Sequence, residues 1–323
     1  MPSFRIPRWF RLILVWIAAL AAVQAILAGA VWLYLHPAIE RIDGVVYGQR
    51  GTRPLTLDIL RPANPNGLGI ALMVSGGWRS KSAGETPAWL VAPLTRAGYT
   101  VFAICHISQP DSTVMEMIDD MNRGLRFVRH HAHEYGINPA LIGVTGGSAG
   151  GHLSLMLATR GGPGDPAAAD PVDRESSAVQ AVAIFYPVTD LLNLGPSTEN
   201  PGDGGPPISF RKAFGPDAMN MPIWKKIGHD SSPIYYVTPA LPPTLIYHGD
   251  ADTLVPLEQS QRFRDRAKEV GLDVPLVIHS GGQHGWYTQL FDEWAFVSWF
   301  DRHLRHRPQL SQSPTNLPRQ PVQ

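Results

Sequence analysis

One short run decides most of what this chain can become. Gly146-Gly147-Ser148-Ala149-Gly150 sits directly after the apolar stretch Leu141-Ile-Gly-Val-Thr145 and directly before a helical stretch reaching Ala158. A strand that becomes a helix with no loop between them must bend its backbone sharply. Small residues two positions to either side of Ser148 let the two elements pass that closely. Such a bend holds the serine hydroxyl clear of its neighbours. The helix starting at Ala149 turns N–H groups and the positive end of its dipole toward that hydroxyl. A phosphate loop of the G-x-x-x-x-G-K-[ST] kind needs a lysine that this run lacks. G-x-S-x-G between strand and helix therefore reads as a nucleophile elbow.

The elements around the bend alternate. Val45-Val46-Tyr47 and the alternating Leu55–Leu60 predict two paired strands. Gly69–Val74, Thr100–Cys105 and Leu141–Thr145 are apolar throughout, as strands buried on both faces are. Pro87–Ala97 and 113–135 predict helices, the second carrying Val114, Met117, Met121, Leu125 and Val128 at helical spacing before Gly136. Val182–Tyr186, Thr244–Tyr247 and Val274–Ile278 predict further strands, and Leu290–Leu304 a closing helix. This alternation implies the α/β class, a mainly parallel twisted sheet with helices on both faces. Residues 161–175 and 194–235 are rich in Gly, Pro and Asp and interrupt the rhythm as surface insertions. The longer one, with Phe210, Phe214, Ile223 and Trp224, is expected to form a small helical lid.

Composition narrows the function. Hydrophobic residues make up 44% and charged residues 17% of the chain, enough for a full core, and the formal net charge of zero disfavours nucleic acid as a partner. The single cysteine, Cys105, lies in an apolar strand, so neither an intramolecular disulfide nor a thiolate metal cluster is open to the chain. Arg5, Arg8 and Arg11 precede the apolar run Leu12–Leu35. As a helix that run reaches about 36 Å, enough to cross a hydrocarbon core of about 30 Å. Trp9 and Phe10 at one end and Trp32 and Tyr34 at the other suit the two membrane interfaces. The expectation is an uncleaved signal anchor with its N-terminus cytoplasmic and the rest exported. A signal cleaved near Ala28-Gly29-Ala30 is the alternative and would leave a secreted or periplasmic protein.

A serine nucleophile needs a base, and the base needs a carboxylate to orient it. In the strand-to-helix elbow context the partners follow in the order Ser, acid, His. His284 lies in Ser280-Gly-Gly-Gln-His284-Gly-Trp286, just after the last strand, and is the expected base. His130, His131 and His133 fall on a helix, His152 follows the elbow and is expected to pack, and His248 precedes the acid. His248-Gly-Asp250-Ala-Asp252 offers two carboxylates. Asp252 is the expected acid, with Asp250 bracing the loop through backbone N–H groups. For the oxyanion, Ala149 supplies one N–H and the loop Ser75-Gly76-Gly77-Trp78 the other, from Gly76 or Gly77. Trp78 and Trp286 are expected to shape the substrate pocket. No metal or cofactor is implied.

Together these residues resemble the alpha/beta-hydrolase esterases, especially the carboxylesterase and lipase-like group related to hormone-sensitive lipase and the bacterial feruloyl-esterase-like family. The resemblance spans most of residues 50–304. It includes Leu57-Asp58-Ile59, Ser75–Trp78, Gly146–His152, Tyr186-Pro-Val-Thr-Asp190-Leu191, Asp252-x-x-Val-Pro256 and His284-Gly-Trp286. It implies the alpha/beta-hydrolase fold and cleavage of a small-molecule ester through Ser148, His284 and Asp252. A peptidase or amidase on the same fold, and a membrane-tethered binding protein that has lost catalysis, are the alternatives. One departure stands out: the family commonly has His-Gly-Gly-Gly where this chain has Val74-Ser75-Gly76-Gly77, and the missing histidine usually braces the loop. The expected organisation is a basic segment 1–11, a membrane span 12–35, a hydrolase domain 36–306 with the insertion 194–235, and a disordered tail 307–323.

Overall fold

The computed structural model describes residues 7–305; Arg5 and the 307–323 tail lie outside the described residues. Helix α1 runs Arg8–Leu35 with no buried residue and is long and apolar enough to cross a membrane. At its end, Arg96 donates to the carbonyls of Leu33 and Tyr34, placing a cation on the negative end of the helix.

Strands β1 (Ile39–Arg50) and β2 (Arg53–Pro62) form an antiparallel hairpin. There follow β3 (Gly69–Met73), α2 (Ala92–Arg96), β4 (Thr100–Ile104), α3 (Val114–His130), β5 (Ile142–Gly147) and α4 (Ala149–Arg160). Next come β6 (Ala181–Phe185), α5 (Met221–Asp230), β7 (Thr244–Gly249), α6 (Glu258–Glu269), β8 (Leu276–His279) and α7 (Gln289–Phe300). One sheet of eight strands has the order β1-β2-β4-β3-β5-β6-β7-β8. Only β2 runs against its neighbours; β4 through β8 are parallel.

The apolar strands serve two cores at once because successive side chains leave opposite faces. Along β3, Ile70 and Leu72 meet Leu94 of α2 and Phe296 and Phe300 of α7. Ala71 and Met73 meet the Met117–Met121–Leu125 stripe of α3, Leu153 of α4 and Phe263 of α6.

Several boundaries differ from the sequence reading for identifiable reasons. Helix α3 stops at His130, and residues 131–136 continue as turns ending on Gly136 at φ 66°. Strand β8 starts at Leu276, because Pro275 has no N–H to give to the ladder. Helix α6 carries little apolar periodicity, since its buried face is Gln259, Ser260, Phe263 and Ala267. Gln259 is satisfied there by hydrogen bonds to Thr189, Asp190 and Asn193, a reason that no local pattern displays.

Between β6 and β7 the chain leaves the sheet and returns through short helical turns at Ile208–Phe214 and Pro216–Met219, then α5. Trp224 of α5 is fully buried there, with its ring 5.1 Å from that of Phe214.

The density of the core gives a test of the strand packing. A Cβ on Gly143 in β5 would lie 2.7 Å from the Phe300 ring and 2.8 Å from Ile70 Cδ1, both fully buried. Gly143→Ala should cost about 1–3 kcal/mol of stability, measured by urea unfolding.

Candidate active site

The bend between β5 and α4 holds Ser148 at φ 56°, ψ −122°, a region that side-chain-bearing residues avoid. Neighbouring strands lock it there. The Ser148 N–H donates to Phe185 O at 3.1 Å and the Gly150 N–H to Ser75 O at 3.0 Å. A Cβ at Gly146 would stand 2.6 Å from the Gly150 backbone, and one at Gly150 would press on the Met73 carbonyl. Glycine is therefore required on both sides.

His284 comes in from the loop after β8. Its Nε2 lies 2.9 Å from Ser148 Oγ and its Nδ1 2.7 Å from Asp252 Oδ2. Since a carboxylate only accepts, Nδ1 carries the proton and Nε2 is left to accept from the hydroxyl. The Asp252 side chain is fully buried on the loop after β7. Burial alone would raise its carboxyl. The nearby ring of His248, the hydrogen bond from His284 and the Val255 N–H outweigh that and hold it well below the usual carboxylate range. Asp250 accepts from Gly281 N–H at 2.7 Å, tying the acid loop to the histidine loop.

Sequence order set His248 aside as a base, yet it belongs to the site. It is buried beneath Asp252 with Nε2 3.6 Å from Oδ2, too long for a hydrogen bond. Its own hydrogen bonds go to Val255 O and Ser260 Oγ, both at 2.7 Å. It thus fixes the acid loop against α6. The signal was its place in His248-Gly-Asp250-Ala-Asp252, legible only once the acid was chosen.

The loop after β3 resolves the missing histidine. His106, arriving from β4, puts Nε2 2.9 Å from Ser75 Oγ while its Nδ1 bonds Ile107 O. Gln109 Nε2 donates to Gly77 O at 2.7 Å and its N–H to Trp78 O at 3.1 Å. A histidine ring therefore braces the loop from the side. Gly76 needs a correction as an oxyanion donor, because its N–H is already given to Arg79 O at 2.9 Å. The N–H groups of Gly77 and Ala149 meet no acceptor among the described residues, and Gly77 sits at φ 56°.

A cavity of about 400 Å³ opens on these groups, lined by Val188, Leu191, Leu194, Phe210, Leu254 and Trp78 beside Ser148 and His284. Trp78 is held deep in its wall, edge-on to Phe210, Phe214 and His152. Trp286 departs from its expected place: it lies outside this cavity, stacked on His279 and bonded to Asp292 at 2.5 Å. Its edge contact with Tyr186, at 5.9 Å, makes it a support on the α7 side of the site. Tyr186 packs on the His284 ring at 4.6 Å, with its hydroxyl tied to Gln289.

A mainly parallel sheet covered on both faces, with a serine on a strained turn at its carboxyl edge, is the architecture of the alpha/beta-hydrolase fold. More narrowly, the chain belongs to the BD-FAE family, whose sequence model matches residues 57–267. It is 31% identical over 233 residues to a probable carboxylic ester hydrolase, LipM, of Mycobacterium tuberculosis, covering 71% of this chain and 52% of that one. With 52% and 46% of LipM and the esterase LipQ covered, the chain spans about half the length of these curated relatives. Among solved structures, a truncated carbohydrate esterase from gut microbiota superposes with a TM-score of 0.62 at 25% identity, covering 83% of this chain and 99% of that one. The apo form of Thermogutta terrifontis esterase 2 gives 0.59 at 26% identity, covering 82% and 91%.

Two buried histidines make the fold sensitive to acid. Burial lowers His106 and His152 from 6.5 to about 4, against the raising effect of their hydrogen bonds to Ile107 O and Ser231 O. Between those values the unfolded chain binds more protons than the folded one, so stability falls as pH drops from 6.5 toward 4. The loss is on the order of 3 kcal/mol per histidine. Asp120, raised by burial to about 6, acts in the opposite sense. His152→Gln, which keeps an acceptor for Trp78 and a donor for Ser231, should flatten the Tm-versus-pH slope relative to the parent.

Proposed function

We propose that this protein hydrolyses carboxylic esters by nucleophilic catalysis at Ser148. His284 takes the hydroxyl proton as Ser148 attacks the ester carbonyl. Asp252 holds the ring in the needed tautomer and stabilises the imidazolium. The N–H groups of Gly77 and Ala149 bind the developing oxyanion, aided by the start of α4. His284 then protonates the leaving alcohol. Water, deprotonated by the same ring, attacks the acyl-enzyme and releases the acid. The observation that carries this reading is the unbroken line from Ser148 Oγ through His284 to a buried Asp252, at 2.9 and 2.7 Å.

The apolar cavity suits one hydrocarbon arm of the ester. The 194–235 insertion supplies Leu194, Pro207 and Phe210 to its wall and acts as a lid. Ser148→Ala should lower turnover of a short-chain p-nitrophenyl ester by about 10⁴-fold or more. Equal turnover by variant and parent overturns the assignment.

Helix α1 serves as a signal anchor, with the hydrolase domain on the exported side. In support, the exposed Trp294 donates to the Tyr34 hydroxyl at 2.5 Å near the end of α1, with Phe291 exposed one turn earlier on α7. Aromatic rings of this kind favour the headgroup region. The full-length protein should stay in the membrane pellet through alkaline carbonate washing, and its appearance in the supernatant would refute the anchor.

A further inference from the structure

A second cavity, of about 350 Å³, shares Ser75, Gly76, Gly147 and Tyr186 with the first. It lies on the α2 and α7 face of the sheet, and its wall is mostly apolar, with Leu72, Val74, Leu90 and Leu94. Arg79, Lys81, Thr86, Thr145, Gln289 and Glu293 bring polar groups to that wall, and two of them are left without a partner. Glu293, one turn after Gln289 on α7, is only 8% exposed and has Oε2 buried with no hydrogen-bond partner. Thr86 is fully buried with Oγ1 equally unpartnered. Glu293 forms no ion pair among the described residues, and burial raises its carboxyl well above the ordinary range. A carboxyl accepts hydrogen bonds in either form, and a hydroxyl both donates and accepts.

Buried polar groups are normally satisfied, and leaving these two bare is unfavourable unless something else completes them. A hydroxyl suits both, because it can donate to a carboxyl and can both donate to and accept from another hydroxyl. At the scissile carbonyl an ester has two arms, and with one in the apolar cavity the shared wall of Gly147, Gly76 and Tyr186 offers the other a path into the second cavity. We propose that the second cavity is a subsite for a hydroxylated arm of the ester, bound through Glu293 and Thr86. The inference rests on the esterase reading above. The hydroxyls can belong to the alcohol or to the acid, and the test separates the two.

Four esters with a common hexyl or hexanoyl arm suffice: glyceryl hexanoate against propyl hexanoate, and hexyl glycerate against hexyl propionate. In one pair the full-length protein should favour the hydroxylated member by about tenfold or more in kcat/KM. Glyceryl hexanoate places the hydroxyls on the alcohol side and hexyl glycerate on the acid side. Glu293→Leu should reduce that preference to less than about threefold, chiefly through KM, while raising Tm because a lone buried carboxyl is gone. Glu293→Gln should keep most of the preference, and Thr86→Val should lower it independently, which covers a Glu293→Leu variant that fails to fold. Turnover of all four esters without discrimination, or a preference that survives both Glu293→Leu and Thr86→Val, refutes the subsite alone. No turnover of any of the four, with no fluorophosphonate labelling of Ser148, refutes the esterase reading and the subsite with it.

Discussion

The turn at Ser148 is held against its own preference, and much of the fold is arranged to hold it. A residue with a side chain at φ 56° carries strain of about 1–3 kcal/mol. Three neighbours share in over-determining it: Phe185 at the end of β6, Ser75 after β3, and Met73, whose carbonyl leaves no room for a Cβ at Gly150. Strand order therefore matters to chemistry. With β5 central between β3 and β6, both flanking strands reach the bend, and the hydroxyl stands at the sheet's carboxyl edge where loops from β7 and β8 can meet it.

Beside Ser148 and His284, the carboxylate that matters to the ring is Asp252. Asp252 is buried yet kept ionised by His284, the Val255 N–H and the nearby His248 ring. Two other histidines close by are pressed into neutrality by burial, and each has a mechanical task that a charged ring would disturb. His152 accepts from Trp78 Nε1 and donates to Ser231 O, and His106 binds Ser75. A neutral ring can accept on one nitrogen and donate on the other, so both nitrogens are used. The loop after β3 is thus pinned on both flanks by uncharged rings.

The loop after β3 also shows how a changed motif keeps its geometry. Ser75 is too short to brace the loop alone, but its hydroxyl gives His106 something to hold, and Gln109 fixes the next carbonyl. Ser75 lies far along the chain from His106 and Gln109. The same loop divides the two cavities, so its rigidity bears on both: on one side Gly77 lines the first cavity with Ser148, on the other Ser75 and Gly76 line the second with Glu293.

What the sequence determined by itself was local. Steric need for glycine around a strand-to-helix bend, apolar strands and a helical Met stripe are properties of a few adjacent residues, and they located the bend at Ser148 and the α/β class. The Gly76 N–H looked as available as that of Gly77 until the tertiary structure showed Arg79 O accepting it, and Trp286 looked like a pocket residue until α7 drew it aside through Asp292. Helix α6, with polar residues on its buried face, and the roles of His106 and His248 were likewise decided only by partners distant along the chain. Local sterics are written in the chain; which buried donor meets which acceptor depends on where long-range packing brings them, and no short pattern encodes that.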